Sequence, residues 1–371
     1  MRILVVNPSI ITSEYYIIPE IKTIKESMIY AMCLGFVAAG HQVTLAAAEE
    51  YKPVPEEKEY DFEVLFFKSV LARIFLPSVL QLSFDFYKYL KANHKKFDMV
   101  LSSEIFSFAS LFASIVCPSK TVIWQEISVH QQKFKKIPSK LWHRVIVPLF
   151  MRKVKCVIPR SEKACLFIGK YMKNVSSDYV DHGINISYFK FSREKKRQFI
   201  CSSQLIYRKN IESIIEIYGK LIKIQGYEDI KLLIAGRGEY RDFLEALVSR
   251  LNLQDHVSFL GFLNQKELNN RIKESYAMLI NTRQDSNMVS IPESIISGTP
   301  VVTNLIPNTA GYVAKDKLGI AKDSWNEYDL MEIIENNPFY VDNCVKYREM
   351  RTNRYCAAKI IDIYLKSLIN R

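Results

Sequence analysis

Two carboxylates, Asp285 and Glu293, stand eight residues apart around a short polar run, Ser286, Asn287, Met288, Val289 and Ser290. The stretch reads as strand, loop, helix, with Ser290 suited to the N-cap and Pro292 to the first turn. The backbone N–H groups of 287–290 then point out of the helix start, where open donors and the macrodipole favour an anion such as a diphosphate. The two acids cannot both oppose phosphate, but both can accept sugar hydroxyls. The competing reading is a pair of helix-capping acids, because acids favour helix N-termini.

Such a loop needs a scaffold, and the apolar pattern supplies one. Apolar runs at 2–6, 42–46, 62–67, 98–101, 121–124 and 156–158 alternate with helical stretches such as 25–39 and 104–116. A second series has strands at 199–201, 231–235, 257–260, 278–281 and 300–303, with helices at 211–224, 240–251, 265–274 and 292–297. The alternation predicts an α/β chain whose parallel sheets are covered on both faces. At roughly 100–200 residues per domain, 371 residues make two. The expected architecture is two doubly wound Rossmann-like domains facing across a cleft, divided as 1–190 and 191–344. One long helix near 345–369, within a final segment 345–371, is expected to pack back toward the first domain. Ligands of such sheets bind beyond the carboxyl ends of the strands.

The net charge of +12 is unevenly placed, with 18 Lys/Arg and five acids between 120 and 197 and near neutrality elsewhere. A block of that kind calls for an anionic partner. No helix-turn-helix, zinc-finger or RNA-recognition signature accompanies it, which argues against nucleic acid. In 138–153, Trp142, Val145, Leu149 and Phe150 are interleaved with Lys140, Arg144, Arg152 and Lys153, a pattern that suits a segment lying on anionic lipid. The stretch 74–91 is similar, and two ordinary core helices are the alternative. No apolar run approaches the ~20 residues that span a bilayer, and the N-terminus lacks a signal peptide's apolar core. Seven scattered cysteines without a Cys-x-x-Cys pair read as buried thiols of a reducing compartment. With 49% apolar residues, 12 glycines and 13 prolines, disordered and collagen-like classes are excluded.

The segment from Asp285 to Glu293, followed by Gly298, Thr299, Pro300, Val301 and Val302, resembles the Glu-x7-Glu signature of retaining nucleotide-sugar glycosyltransferases of family 4, which have the GT-B fold. Two departures are Asp in place of the first Glu, and Ser286 and Met288 in place of loop glycines. Ser203 to Asn210 resembles the family's Gly-Arg-Leu…Lys-Gly stretch, with Lys209 on its diphosphate-binding lysine. Gln204 stands where the partner arginine is expected, and Arg208 is the candidate substitute. Gly236 and Gly238 match a Gly-x-Gly after a strand, Val257 to Leu263 the segment whose backbone around Phe262 and Leu263 reads the base, and Gly40 to Val43 the opening of the second strand. Residues 180–189 are similar to the stretch that ends the family's first domain. Gln125 and Glu126 stand where a His-Asp pair is common, with His130 close by.

The resemblance implies transfer of a sugar from a nucleotide diphosphate to a hydroxyl of a glycan or lipid-linked acceptor, with retention, in surface-polysaccharide assembly. The N-terminal domain would then bind acceptor and the C-terminal domain the nucleotide sugar, a UDP-sugar being favoured. Lys209, Asp285 and Glu293 take the catalytic roles. Arg208, Gln204, Gly238, Phe262, Leu263, Asn287, Met288, Val289 and Ser290 hold donor, and Gln125, Glu126 and His130 lie on the acceptor or sugar side. No cofactor is implied, and no Asp-x-Asp or His cluster calls for a metal. The basic 120–197 region fits an anionic membrane surface, placing the protein in the cytoplasm or on the inner membrane face. The alternatives are a nucleotide-sugar epimerase of the same fold and a catalytically silent binding protein at a membrane surface.

Overall fold

The computed structural model describes residues 1–11, 18, 20–131 and 133–369. The chain divides into two units, Met1–Gly183 with Asn353–Arg371, and Ile184–Thr352. The changeovers fall at 183/184 and 352/353, a few residues from the expected 190/191 and 344/345. Ile184 N–H donates to Arg351 C=O at 2.9 Å, so the start and end of the second unit pair with each other.

In the first unit β1 (Arg2–Val6), β2 (Gln42–Ala48), β3 (Glu63–Phe67), β4 (Met99–Ser103), β5 (Thr121–Gln125) and β6 (Cys156–Pro159) form one parallel sheet, ordered β3-β2-β1-β4-β5-β6. Its helices are α1 (Met28–Ala38), α2 (Pro77–Leu80), α3 (Phe84–Asn93), α4 (Phe108–Val116), α5 (Ile137–Leu141) and α6 (Glu162–Ile168), and π-helical turns follow α5 over Trp142–Met151. Alternate strand residues enter opposite cores. Ile3, Val5, Leu45 and Leu101 pack with Ile29 and Phe36 of α1. Leu4, Val6, Ala46 and Val100 pack with Phe86 of α3 and Ala109 of α4. Both faces are therefore covered, which is why these strands read as continuous apolar runs. The side chains of Pro77 and Val79, in the apolar stretch 74–91, and residue 132 with the side chains of Lys133 and Phe134, in the basic region, lie outside what is described.

The second unit repeats the plan. Its strands β7 (Gln198–Ser202), β8 (Lys231–Ala235), β9 (Val257–Gly261), β10 (Met278–Ile280), β11 (Val301–Thr303) and β12 (Gly319–Ala321) are ordered β12-β11-β10-β7-β8-β9. The helices are α7 (Ile211–Leu221), α8 (Arg241–Arg250), α9 (Gln265–Ile272), α10 (Ser290–Ile296), α11 (Ala310–Lys315), α12 (Glu327–Glu335) and α13 (Asn337–Tyr347). Phe199, Leu232, Leu279 and Val302 line one core, Ile200, Leu233, Met278 and Val301 the other.

Two expectations need correction. The edge strand β12 has three residues and no apolar run to announce it. The long C-terminal helix is two helices, α13 and α14 (Asn353–Ile369), separated by a tight turn over Arg348–Arg351. Thr352 is extended (φ −69°, ψ 147°), which resets the chain direction. The restart puts α14 in the first unit, where Asn353 Nδ2 donates to Ala31 C=O of α1 at 2.8 Å. Gly35 makes the approach feasible, since a Cβ there would stand 2.3 Å from Asn353 O.

Candidate functional site

The order of the second sheet reverses between β7 and β10, and the loops leaving their carboxyl ends carry the candidate residues. Such a switch point is where ligands of doubly wound sheets bind. The two loops are tied together. Arg208 C=O accepts the Arg283 N–H at 2.9 Å and the Thr282 hydroxyl at 3.0 Å. The Arg283 guanidinium donates to Tyr207 C=O at 2.5 Å and Glu212 at 2.7 Å, and lies 4.0 Å over the Tyr207 ring.

This bracing brings Lys209 and Asp285 together. The Lys209 ammonium donates to Asp285 Oδ2, and Arg208 Nη1 stands 3.4 Å from the same oxygen. Asp285 Oδ1 accepts the Ser286 N–H at 2.9 Å. The Lys209 and Asp285 side chains are only 11% and 13% exposed, so water screens the pair poorly. Lys209, Ser203, Asn281, Thr282 and Met288 also line a small recess. Two cations thus converge beside a strand end, an arrangement that stabilises polyanionic charge.

Glu293 sits in the first turn of α10, 9% exposed, and burial pushes its carboxyl up to about 7. The expected N-cap is corrected. Val289 occupies that position, and Ser290 is the first helical residue, its hydroxyl buried without a partner. The cause is helical backbone already at Val289 (φ −63°, ψ −33°), where an N-cap is normally extended. The loop is instead braced from the segment between β11 and α11, with Asn308 N–H on Ser286 C=O at 2.9 Å and Asn308 Nδ2 on Asn287 Oδ1 at 3.1 Å. Asn287 and Met288 are buried, and Val289 is partly exposed.

The remaining residues of the second unit serve differently. Gln204 is exposed on the loop after β7. Gly236 and Gly238 let two backbones touch. A Cβ on Gly236 would fall 1.8 Å from Ser203 O, and one on Gly238 2.2 Å from Leu205 O. Leu205 N–H donates to Arg237 C=O at 2.9 Å, so this turn holds the loop that carries Lys209. Phe262 is 62% exposed with the Arg237 guanidinium 5.6 Å from its ring, and Leu263 is partly exposed beside it.

In the first unit the structure separates three candidates. Gln125 is buried and fully used, its Oε1 accepting Ile105 N–H at 2.9 Å and its Nε2 donating to Ile127 C=O at 2.8 Å. Both bonds brace the loop after β5. His130 is hydrogen-bonded to the Ser139 hydroxyl at 3.1 Å and the Tyr171 hydroxyl at 3.0 Å, within an aromatic cluster of His143, Phe167 and Tyr171. Burial and then the Lys140 and Arg144 charges lower its pKa. Glu126 alone keeps an accessible carboxylate, 25% exposed. Its Oε2 accepts Arg160 Nη1 at 2.7 Å.

Sequence reasoning missed Arg283, Glu104, Arg160 and His182. Glu104, Glu126 and Arg160 are each the first residue past β4, β5 and β6, three neighbouring strands. A polar residue directly after a buried strand was the available signal.

Comparison with known proteins shows what the second unit is similar to. Residues 185–337 match the family model described as glycosyl transferases group 1. The α-monoglucosyldiacylglycerol synthase of Streptococcus pneumoniae is 23% identical over 205 residues, 50% of this chain and 45% of that protein. The O-antigen chain mannosyltransferase RfbU of Salmonella typhimurium is 27% identical over 190 residues, 49% of this chain and 52% of that one. The chain thus spans about half the length of these relatives. Among solved structures, Anabaena HepE in complex with UDP superposes with a TM-score of 0.67 at 15% identity, covering 98% of this chain and 99% of that one. The two parallel six-stranded sheets are those of the two-domain GT-B glycosyltransferase fold.

Proposed function

We propose that this chain, whose residues 185–337 match the group 1 glycosyl transferase model, moves a sugar from a nucleoside diphosphate to a hydroxyl of a glycan or lipid-linked acceptor, with retention. The observation that carries the reading is the convergence of Lys209 and Arg208 on Asp285 at the β7/β10 switch point. In the reaction the bond from the anomeric carbon to the diphosphate oxygen breaks and a bond to the acceptor oxygen forms. The acceptor proton passes to the leaving phosphate. Lys209 and Arg208 meet the charge that grows on that phosphate, and Asp285, relieved of them, turns to a sugar hydroxyl. Glu293 accepts ribose hydroxyls, Asn287 to Ser290 line the sugar and phosphate, and Phe262 and Leu263 flank the base. UDP is the favoured nucleotide, in keeping with the UDP named for the HepE structure.

A lipid-linked acceptor would bring the protein to a membrane face, and one surface supports this. Ile137, Leu141, Val145 and Leu149 recur every four residues along α5 and the following turns, exposed by 62%, 60%, 40% and 69%. Exposed Lys140, Arg144, Arg152 and Lys153 flank them, while Trp142, Val147 and Met151 face inward. Apolar side chains interleaved with cations suit the interface of anionic lipid. Among the described residues no helix is long and apolar enough to cross a membrane. Assembly of a surface polysaccharide is the process proposed, in keeping with the name of the RfbU relative.

The test is a thermal-shift panel of UDP-, GDP-, ADP- and TDP-sugars, followed by detection of released nucleotide with each hit. A donor at a hundred times its dissociation constant adds roughly 2.7 kcal/mol, a visible shift. One stabilising donor that is slowly hydrolysed is the expected result. A panel in which no donor stabilises the protein and no nucleotide is released would favour the silent-binder alternative.

A further inference from the structure

Two stretches of chain connect the second unit with the first, one entering at Ile184 and one leaving at Thr352. Both are bonded to the carboxyl end of α10, the helix whose first turn carries Glu293. From the entering stretch, Ser192 N–H donates to Ser297 C=O at 3.3 Å. The Lys195 ammonium donates to Gly298 C=O, Lys273 C=O and the Thr299 hydroxyl, each at 2.9 Å. From the leaving stretch, Arg348 Nε donates to Ile296 C=O at 2.9 Å, and its Nη2 donates to Phe189 C=O of the entering stretch at 3.1 Å. Buried Asn269 of α9 completes the clasp. Its Oδ1 accepts Lys190 N–H at 3.0 Å, and its Nδ2 donates to Lys190 C=O and the Ser297 hydroxyl, both at 2.9 Å. That hydroxyl donates in turn to Glu293 C=O at 2.7 Å.

The last carbonyls of a helix have no partner inside it and are ordinarily met by water or by the turn that follows. Here Ile296, Ser297 and Gly298 are each met by a group of the connecting stretches, and two of those groups are cations, which suit the negative end of a helix. Lys195 places its three N–H donors on two carbonyls and a hydroxyl, so the helix ends hold it rather than a carboxylate. α10 has seven residues, and Ile291 to Ile296 are all buried, which leaves it no loose turn to absorb a displacement. We propose that α10 transmits occupancy of the donor loop at its start to both connecting stretches at its end, and that Lys195 and Arg348 are positioning residues acting on Glu293 through the helix. The identity of the occupant rests on the glycosyltransferase reading, whereas transmission along the helix rests on these bonds alone.

The test is hydrogen–deuterium exchange on the full chain, with and without UDP. Without ligand, Lys195→Met and Arg348→Met should each speed exchange of the amides of 287–291 by about tenfold, although these lie at the far end of the helix from the lost bonds. Lys196→Met is the control and should leave those amides at wild-type rates, because its ammonium sits instead on a partly exposed pair with Glu274 at 2.7 Å. In wild type, UDP should slow exchange at 286–290 and also at 189–197 and 348–352. In Lys195→Met, UDP should bind about tenfold more weakly and leave 189–197 unprotected, the reciprocal loss that coupling requires. Arg348→Met keeps the test alive if Lys195→Met does not fold. A speed-up confined to 294–298 is fraying of a helix end and would overturn the proposal, as would UDP protection that stops at 290. If UDP does not bind wild type at all, the donor site of the second unit falls, and the ligand-free arm still decides whether the helix transmits.

Discussion

Lys209 and Asp285 make an ion pair with about a tenth of each side chain exposed, and Arg208 as a second cation 3.4 Å away. Removing Lys209 therefore leaves Asp285 partnered, and the fold should survive Lys209→Ala at a loss of about 1–3 kcal/mol. Turnover should fall roughly 100- to 1,000-fold, the scale of one preorganised donor to a developing oxyanion. A kcat measured on protein shown by circular dichroism to be folded checks this, and near-normal turnover would refute the role. Glu293 gives a prediction with a sign. Its folded pKa, about 7, lies above the ordinary carboxyl value because burial penalises the charge. The folded state then holds the proton more tightly, so this group's contribution is full below about pH 4.5 and is lost as pH rises through 7. Glu293→Gln should accordingly gain on wild type by on the order of 2 kcal/mol at pH 8 and by nothing at pH 4.5, as read from urea denaturation. Donor affinity should move the other way. Wild type tightens on UDP-sugar between pH 6 and 8 as the carboxylate ionises, while the variant binds weakly and without a pH trend.

At the scale of elements, legibility followed burial. The inner strands were readable because both faces are packed, so apolar runs such as Ile3 to Val6 and Leu232 to Ala235 are continuous, and the half-buried edge strands β3 and β9 were readable from their own apolar residues. The edge strand β12, with Gly319, Ile320 and Ala321, carries too few apolar residues to stand out. The break before α14 has neither Pro nor Gly, and it arises from the pairing of Ile184 with Thr352, a contact between segments far apart in sequence. The same distance hid Glu104, Arg160 and His182, which meet only because three neighbouring strands end side by side. Spacing picked out Asp285 and Glu293 as candidates because one short loop and helix hold both, but it could not foresee that Gln125 is buried and Glu126 partly exposed, which only the fold decides. Close backbone contact makes the matching prediction. Gly35→Ala should gain up to about 1 kcal/mol in helix propensity. It must also place a methyl 2.3 Å from Asn353 O, and backbone there cannot swing aside as a side chain would. The clash should win by about 2 kcal/mol or more, lowering the urea midpoint, and a neutral or stabilised variant would mean that α14 slides on α1 at little cost.

For the whole molecule the governing fact is where the charge lies. A chain of net charge +12 keeps the whole of its excess within 120–197, and that span includes the exposed apolar ladder from Ile137 to Leu149. Charge alone would give weak, salt-sensitive adhesion, since each Lys or Arg near an anionic surface contributes roughly 1 kcal/mol. The apolar ladder alone would be an aggregation hazard. Together they predict binding with two separable components. Flotation with vesicles of phosphatidylglycerol and phosphatidylcholine should recover the protein at low salt, and raising salt to about 0.5 M should release much of it by screening. Lys140→Glu with Arg144→Glu should weaken binding by about a hundredfold or more and remove most of the salt dependence. Leu149→Ser with Val145→Ser should weaken it less and leave the salt dependence intact, because the charges remain. If all variants float as wild type does, the basic block serves some other anion and the ladder belongs to another interface. If only neutral vesicles bind, the apolar ladder acts without its cations. The two-component result would explain why Arg144 and Arg152 are exposed on the same turns as Val145 and Leu149, and would fix the orientation in which the first unit meets a lipid surface.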